Sequence, residues 1–458
     1  MKTVSPPNLQ QTSTTVLAPM HKRILASAIG GYFIDGYDLL VLAGALLAIR
    51  PEFHLTSLTL GLLTSSAFIG MALGSLIAGP WTDRWGRRLI FLVTMVTFLV
   101  ASAALLWVDS FWQLVVIRFV IGFAIGADMP CSAALITEFM PGQKRGTYLA
   151  LGGVAWMAGA LISVLITLGI FSIWGAEAWR WALASGGIFS ILLLIMRHRM
   201  PESPYWLYAK NRHEEAVDAW RQGTGERVSA DQFDDTYHTD EERSSATTTG
   251  LPQKSILMML LFMNIYWGLS NLYGSAFLLY QPMLLAKITS PTGYTSLMFS
   301  GITLTITVLI GIFVAYWLMD RVGRRSIALL SNIIMAFASA VIWLHISSLL
   351  VTVGAFTLFI GIGSGAASLI FYAWAPELFP TSIRGRAVGI TNMVGKAGSV
   401  IGTLLLPGVI DFIGNDAFLL ISAFALFNAL IVYWLAPETR GKSLQQIQED
   451  LHVRFNKP

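Results

Sequence analysis

The sequence predicts an all-α membrane protein in which twelve transmembrane helices form two pseudo-symmetric six-helix bundles. Composition is the first ground: of 458 residues, 55% are hydrophobic and 12% charged, whereas soluble domains carry about a quarter charged residues. The second is that apolar residues gather in blocks of about twenty or more, each long enough at about 1.5 Å per residue to cross about 30 Å of hydrocarbon. The third is a repeat, since three short motifs recur at offsets between 236 and 239 residues. A soluble globular enzyme is excluded at this level. The single cysteine, Cys131, leaves no intrachain disulfide and no cysteine-based metal cluster.

Residues 1–23 are rich in Ser, Thr and Pro and lack an apolar core with a cleavage site. They are expected to form a cytoplasmic tail, with the first helix acting as its own insertion signal. The first bundle is assigned to 24–197, with spans at 24–49, 58–80, 89–108, 112–140, 147–173 and 178–197. The polar stretch 198–254, which includes DQFDDTYHTDEERSSATTTG, has a composition that resists burial and is assigned as a cytoplasmic linker. The second bundle is assigned to 255–436, with spans at 255–286, 293–319, 326–345, 349–379, 385–412 and 415–436, and 437–458 is a second tail. An even number of spans puts both termini on one side. With the termini inside, 25 of the 30 Lys and Arg fall in cytoplasmic segments and three (Arg50, Arg180, Lys287) fall outside, as the positive-inside rule requires.

The repeat supports the two-bundle reading. Asp83-Arg84-Trp85-Gly86-Arg87-Arg88 after span two recurs as Asp320-Arg321-Val322-Gly323-Arg324-Arg325 after span eight. Glu138, Pro141, Arg145 and Gly146 recur in the same spacing as Glu377, Pro380, Arg384 and Gly385. Pro201-Glu202-Ser203 closes the first six spans and Pro437-Glu438-Thr439 the second. A parallel duplication of this kind suits two halves that rock about a central site.

These motifs resemble the major facilitator superfamily, in its sugar-porter-like and metabolite:proton symporter branches. The likeness runs from GYFIDGYDLL in span one to PETRGKSL after span twelve, and PESPYWL resembles the sugar-porter PESPRWL with Tyr205 in place of Arg. The resemblance implies the major facilitator fold and alternating exposure of one midplane site. It also implies a cytoplasmic latch, carried here by Asp83, Arg84, Gly86, Arg87, Arg88, Glu138 and Arg145 and by Asp320, Arg321, Arg324, Arg325, Glu377 and Arg384. Asp83 is expected to pair with arginines and to cap helix ends across the boundary between the bundles, and Glu138, Arg145, Glu377 and Arg384 to form ion-pair networks joining the halves.

Ionisable residues inside apolar spans are the most informative. Asp35 and Asp38 in span one, Arg118 and Asp128 in span four and Lys396 in span eleven would each cost at least about 2.5 kcal/mol facing lipid near the midplane. Each is therefore expected to face a cavity or a partner. Asp35 and Asp38 share a helix face. Two carboxylates on one helix, with an acid and a base on another, can take up a proton when a carboxylate parts from Arg118 and release it on re-pairing. Asp38 and Arg118 resemble the proton-coupling pair of proton-driven sugar porters, while Asp35 and Asp128 resemble acids of phosphate:proton and aromatic-acid:proton symporters. No histidine lies deep in a span, so carboxylates must carry any proton.

For the cargo, Lys396 in Asn392-Met393-Val394-Gly395-Lys396 is the one basic residue well inside the second half's spans. It reads either as a ligand for a carboxylate or phosphate, or as a counter-ion for a midplane acid or a snorkelling lysine. Trp267 and Asn271, four apart in span seven, pair a stacking surface with an amide. Trp156, Tyr372, Trp374 and Asn392 are further candidates. The Gln pair that sugar porters carry on helix seven is missing, and Asn271 and Met129 stand where phosphate symporters carry an acid and a Tyr. A small organic solute, an organic or sugar acid, remains.

The expected function is thus proton-coupled import by alternating access, in an inner membrane. A proton-coupled exporter and a sugar facilitator stand as alternatives. Gly441-Lys442-Ser443 lacks the Walker A glycine, Ala436 standing in its place. The expected partners are substrate, protons and lipid. No enzyme activity, cofactor, metal or nucleic acid is expected, and the unit is expected to work as a monomer.

Overall fold

The computed structural model describes residues 18–140, 145–225, 253–286, 294–313, 318–345, 348–367, 374, 377–379, 381–442, 446–447 and 450. Within them the chain is helical. The first half comprises α1 (Pro19–Glu52), α2 (Ser57–Trp85), α3 (Arg87–Ala104), α4 (Phe111–Phe139), α5 (Arg145–Trp174) and a sixth span split into α6 (Trp179–Ala184) and α7 (Gly186–Arg197). The second half comprises α10 (Gln253–Ala286), α11 (Tyr294–Phe313), the short α12 (Met319–Val322), α13 (Arg324–His345), α14 (Leu349–Phe356), α15 (Thr381–Ile413) and α16 (Asp416–Leu435). Among the described residues, eleven helical stretches are long and apolar enough to cross a membrane, and a shorter apolar helix, Thr295–Thr307, lies in the expected span eight. Outward-facing Leu76, Val100, Ile188, Ile195, Phe337 and Leu430 are exposed. In water such a belt would be a large apolar liability; in lipid it is the solvated surface.

The polar stretch after α7 is partly folded. α8 (Pro204–Ala209) and α9 (His213–Thr224) lie within it, and Ala216, Ala219 and Trp220 of α9 pack with Leu207. The apolar residues sit on one face of an otherwise polar helix, a pattern that bulk composition conceals.

Small residues set how closely the helices approach. A Cβ on Gly122 or Gly126 of α4 would strike the backbone of Ala67 or Met71 in α2, and one on Gly36 of α1 would strike the Trp156 carbonyl of α5. Gly398 and Gly402 of α15 abut Gly268 and Leu272 of α10 in the same way. Without a hydrophobic drive between helices in lipid, such backbone proximity supplies the packing. The α1 and α5 contact and the α10 and α15 contact are counterparts, as the sequence repeat requires.

The ends of α3 and α13 repeat at atomic detail. Gly86 and Gly323 have φ of 91° and 96°, a left-handed region that glycine occupies without strain. Glu202 accepts from the backbone N–H of Arg87 and Arg88, and Glu438 from those of Arg324 and Arg325. A carboxylate over exposed N–H groups at the positive end of a helix dipole is a cap.

Candidate functional site: a charged cavity between the halves

A cavity enclosing about 1050 Å³ of space, part of it open to solvent, lies between the halves and is lined by both. From the first half come Asp35 and Trp156, and from the second Trp267, Asn271, Asn392 and Lys396. Five of the seven expected cargo residues thus line this cavity. The helix after α14 widens into a π-helical stretch, Thr357–Ser364, whose Ile360 and Ser364 also line the space. Such widening often accompanies functional sites. Trp374 is placed elsewhere: it is buried against the rings of Phe262 and Tyr266 and does not line the cavity. A large ring gains more from that aromatic packing than from a wet wall. Tyr372 lies outside the described residues.

One end of the cavity is closed by direct contact between halves. Near the loop joining α1 and α2, Thr64 hydrogen-bonds Tyr280 at 2.6 Å and Ser57 meets Asp411 across the halves, while Tyr280 donates to the Thr403 carbonyl of its own half at 2.7 Å. Hydrogen bonds between the halves, among the described residues, lie at this end or at mid-depth.

The buried charges form three pairs rather than one network. Arg118 donates to Asp38 at 2.7 Å, both groups being buried and off the cavity lining. Asp128 does not meet Arg118. It takes two bonds from Arg197, at 2.5 and 3.0 Å, with Thr94 and Ser132 donating as well. Arg197 also reaches the carbonyls of Phe91 and Ser27. Its sequence position at the end of span six reads as a positive-inside anchor, yet it is fully buried. The signal available was an acid on α4 without a partner. The third pair crosses the halves: Lys396 Nζ stands 3.8 Å from Asp35.

Local structure places these groups. Ser110 and Gln113 form a reciprocal cap that starts α4. Pro130, two residues after Asp128, removes one backbone bond inside that helix.

The loop residues form ion pairs within a half, where links between halves were expected. Arg87 pairs with Glu138, and Arg324 with Glu377 at 2.9 Å. Asp83 is exposed; its backbone carbonyl accepts from the Trp206 indole at 3.0 Å. The cap expected of Asp83 is made by Glu202. Arg84 lies over the Trp85 ring, and Arg88 and Arg325 donate to the carbonyls of His198 and Tyr433. Arg321 is exposed. The side chains of Arg145, Asp320 and Arg384 lie outside the described residues. Arg87 starts α3 and Glu138 lies at the end of α4, helices that pack together in the first half, so the carboxylate nearest that arginine belongs to its own half.

Comparison with known proteins fits this architecture. The glucose transporter GlcP of Staphylococcus epidermidis is 31% identical over 441 residues, covering 94% of this chain and 97% of that one. The niacin transporter NiaP of Acinetobacter baylyi is 25% identical, covering 91% and 94%. The inward open conformation of the xylose transporter XylE from E. coli superposes with a TM-score of 0.77 at 20% identity, over 94% of this chain and 99% of that chain. A family model for sugar (and other) transporters matches residues 24–451. The chain therefore belongs to the sugar (and other) transporter family, a multi-pass membrane transporter of the major facilitator fold.

Proposed function

We propose that the protein is a proton-driven importer of a small organic solute, working by alternating access, with the central cavity as its cargo site. The lobes are the six-span units 24–197 and 255–436, joined by 198–254. Both termini lie in the cytoplasm, the membrane is an inner membrane, and the working unit is the monomer. On that topology the closed end faces outward and the structure is inward-facing. Asp83, Arg84, Gly86, Arg87, Arg88, Glu138 and Arg145, with Asp320, Arg321, Arg324, Arg325, Glu377 and Arg384 in the second half, act as the conformational latch.

The observation that carries the reading is the buried pair of Asp38 with Arg118, one helical turn behind the cavity acid Asp35. Asp38 stays charged while Arg118 neutralises it, and a tilt of α1 against α4 that parts them favours protonation. Rejoining releases the proton on the other side. Asp128 with Arg197 fixes the neighbouring helices. Relatives named for glucose and for niacin support a family tolerant of different cargo, and a cavity with one cation among its described lining residues suits an acid better than a hexose.

The test is Asp38→Asn in reconstituted vesicles. Concentrative uptake should vanish while exchange of labelled for unlabelled cargo across the membrane continues. Proton-driven accumulation equal to the parent's would remove Asp38 from the coupling mechanism.

A further inference from the structure

The three buried acid–base pairs are built differently. Asp38 with Arg118 and Asp128 with Arg197 are tight, hydrogen-bonded and confined to the first half. Asp35 and Lys396 stand 3.8 Å apart, wider than a hydrogen bond, and join α1 of one half to α15 of the other. Asp35 Oδ1 has no hydrogen-bond partner among the described residues although the residue is buried. The Lys396 ammonium, with three N–H donors, directs one at the Met71 sulfur at 3.3 Å and lies 5.7 Å from the Phe68 ring centre. Its side chain is 16% exposed, against 0% for Arg118 and Arg197. Both members line the cavity.

We infer that the cargo is a small monocarboxylate, that its carboxylate takes the place of Asp35 on Lys396, and that Asp35 is protonated as it is displaced. The inference rests on the reading of the cavity as the cargo site. In the empty cavity the two charges cancel. A carboxylate cargo adds one negative charge, and a net charge beside a carboxylate as buried as Asp35, 1% exposed, is strongly disfavoured. A hydronium ion from solution gives its proton to a carboxylate oxygen of Asp35, leaving water, and restores neutrality. The cargo carboxylate then occupies the ammonium, and no other bond changes.

The remaining charges facing Asp35 are already matched. Asp38 on the same helix is held by Arg118, and Asp128 on α4 by Arg197. Its neutral titratable neighbour is Tyr32 on α1, with the Trp156 indole of α5 alongside. Among the described residues lining the cavity, Lys396 is the one cation, so a phosphate dianion would lack a second partner. Phe68, Trp156 and Trp267 offer the apolar surface that an organic body needs.

Binding, measured by calorimetry on the purified full-length protein, separates this inference from the transport reading. The probes are acids and neutral counterparts: benzoate with benzamide, nicotinate with nicotinamide, galacturonate with galactose, and inorganic phosphate. An acid should bind more tightly than its neutral counterpart, with affinity rising about tenfold per pH unit from about pH 8 down to about pH 6, as uptake of one proton requires. The neutral counterpart should show no such slope. Lys396→Gln should remove the preference for the acid, and Asp35→Asn should abolish the slope and tighten binding at the alkaline end.

The inference is overturned if acid and neutral compound bind alike, if the parent's acid affinity is independent of pH, if phosphate binds best, or if no acid binds. The parent protein's slope alone decides the matter should a variant fail to fold. Proton-linked binding without proton-driven accumulation would sink the transport reading and leave this one standing; the converse result would do the reverse.

Discussion

Asp128 and Arg197 show how a residue's partner escapes a linear reading. The acid is visible as an intruder in an apolar span, but the arginine at the end of span six carries no such mark, because basic residues at cytoplasmic span ends are the rule. Only the fold reveals that it turns inward to Asp128 at 2.5 Å. Arg197→Met should therefore destabilise the protein by about 3–5 kcal/mol, because it strands a buried carboxylate. Adding Asp128→Leu should recover most of that loss, and thermal unfolding of purified protein measures both. Lys396→Met should lower the melting temperature less, since its partner is farther off and the cavity is wet. An equal loss for the two single variants would contradict the distinction between tight and loose pairs. Trp374 escaped in the opposite direction: an aromatic beside a polar span looks like cargo equipment, yet core packing claims it.

Among the elements, span positions and the doubled loop motifs were legible because hydropathy and repetition are properties of sequence alone. The partners of those motifs were less so. Glu202 and Glu438 stood out only as members of the repeated Pro-Glu-Ser and Pro-Glu-Thr triplets, and the structure shows them capping α3 and α13 over the paired glycines. Glu202→Ala should cost about 0.5–2 kcal/mol, as loss of a helix cap does, and Glu438→Ala should match it. Melting curves check the pair, and unequal losses would break the pseudo-symmetry at that point. Tight helix approach makes a second prediction. Gly36→Val places bulk against the Trp156 carbonyl, and overpacking of this kind costs about 1–3 kcal/mol. It should also part α1 from α5 and weaken cargo binding, because the cavity residues Asp35 and Trp156 flank that contact.

For the whole molecule, the two-bundle design was readable from duplication, whereas the state of the cavity was not, because no sequence feature says which end is shut. That information lies in contacts such as Ser57 with Asp411 and Thr64 with Tyr280. If the halves part at this end during each cycle, cysteines at positions 57 and 411 joined by a short cleavable thiol reagent should stop uptake, and cleavage should restore it. The one native cysteine, Cys131, is buried, which keeps the background low. Undiminished uptake in the joined protein would show that this end does not open.

The account turns on protons moving with cargo through the cavity, and vesicles containing the purified protein test that most directly. Uptake of a labelled acid that binds the protein is followed with an imposed inward pH gradient, then with the gradient collapsed by a protonophore. The account predicts accumulation above the external concentration in the first case and mere equilibration in the second; the same rate and extent in both would contradict it.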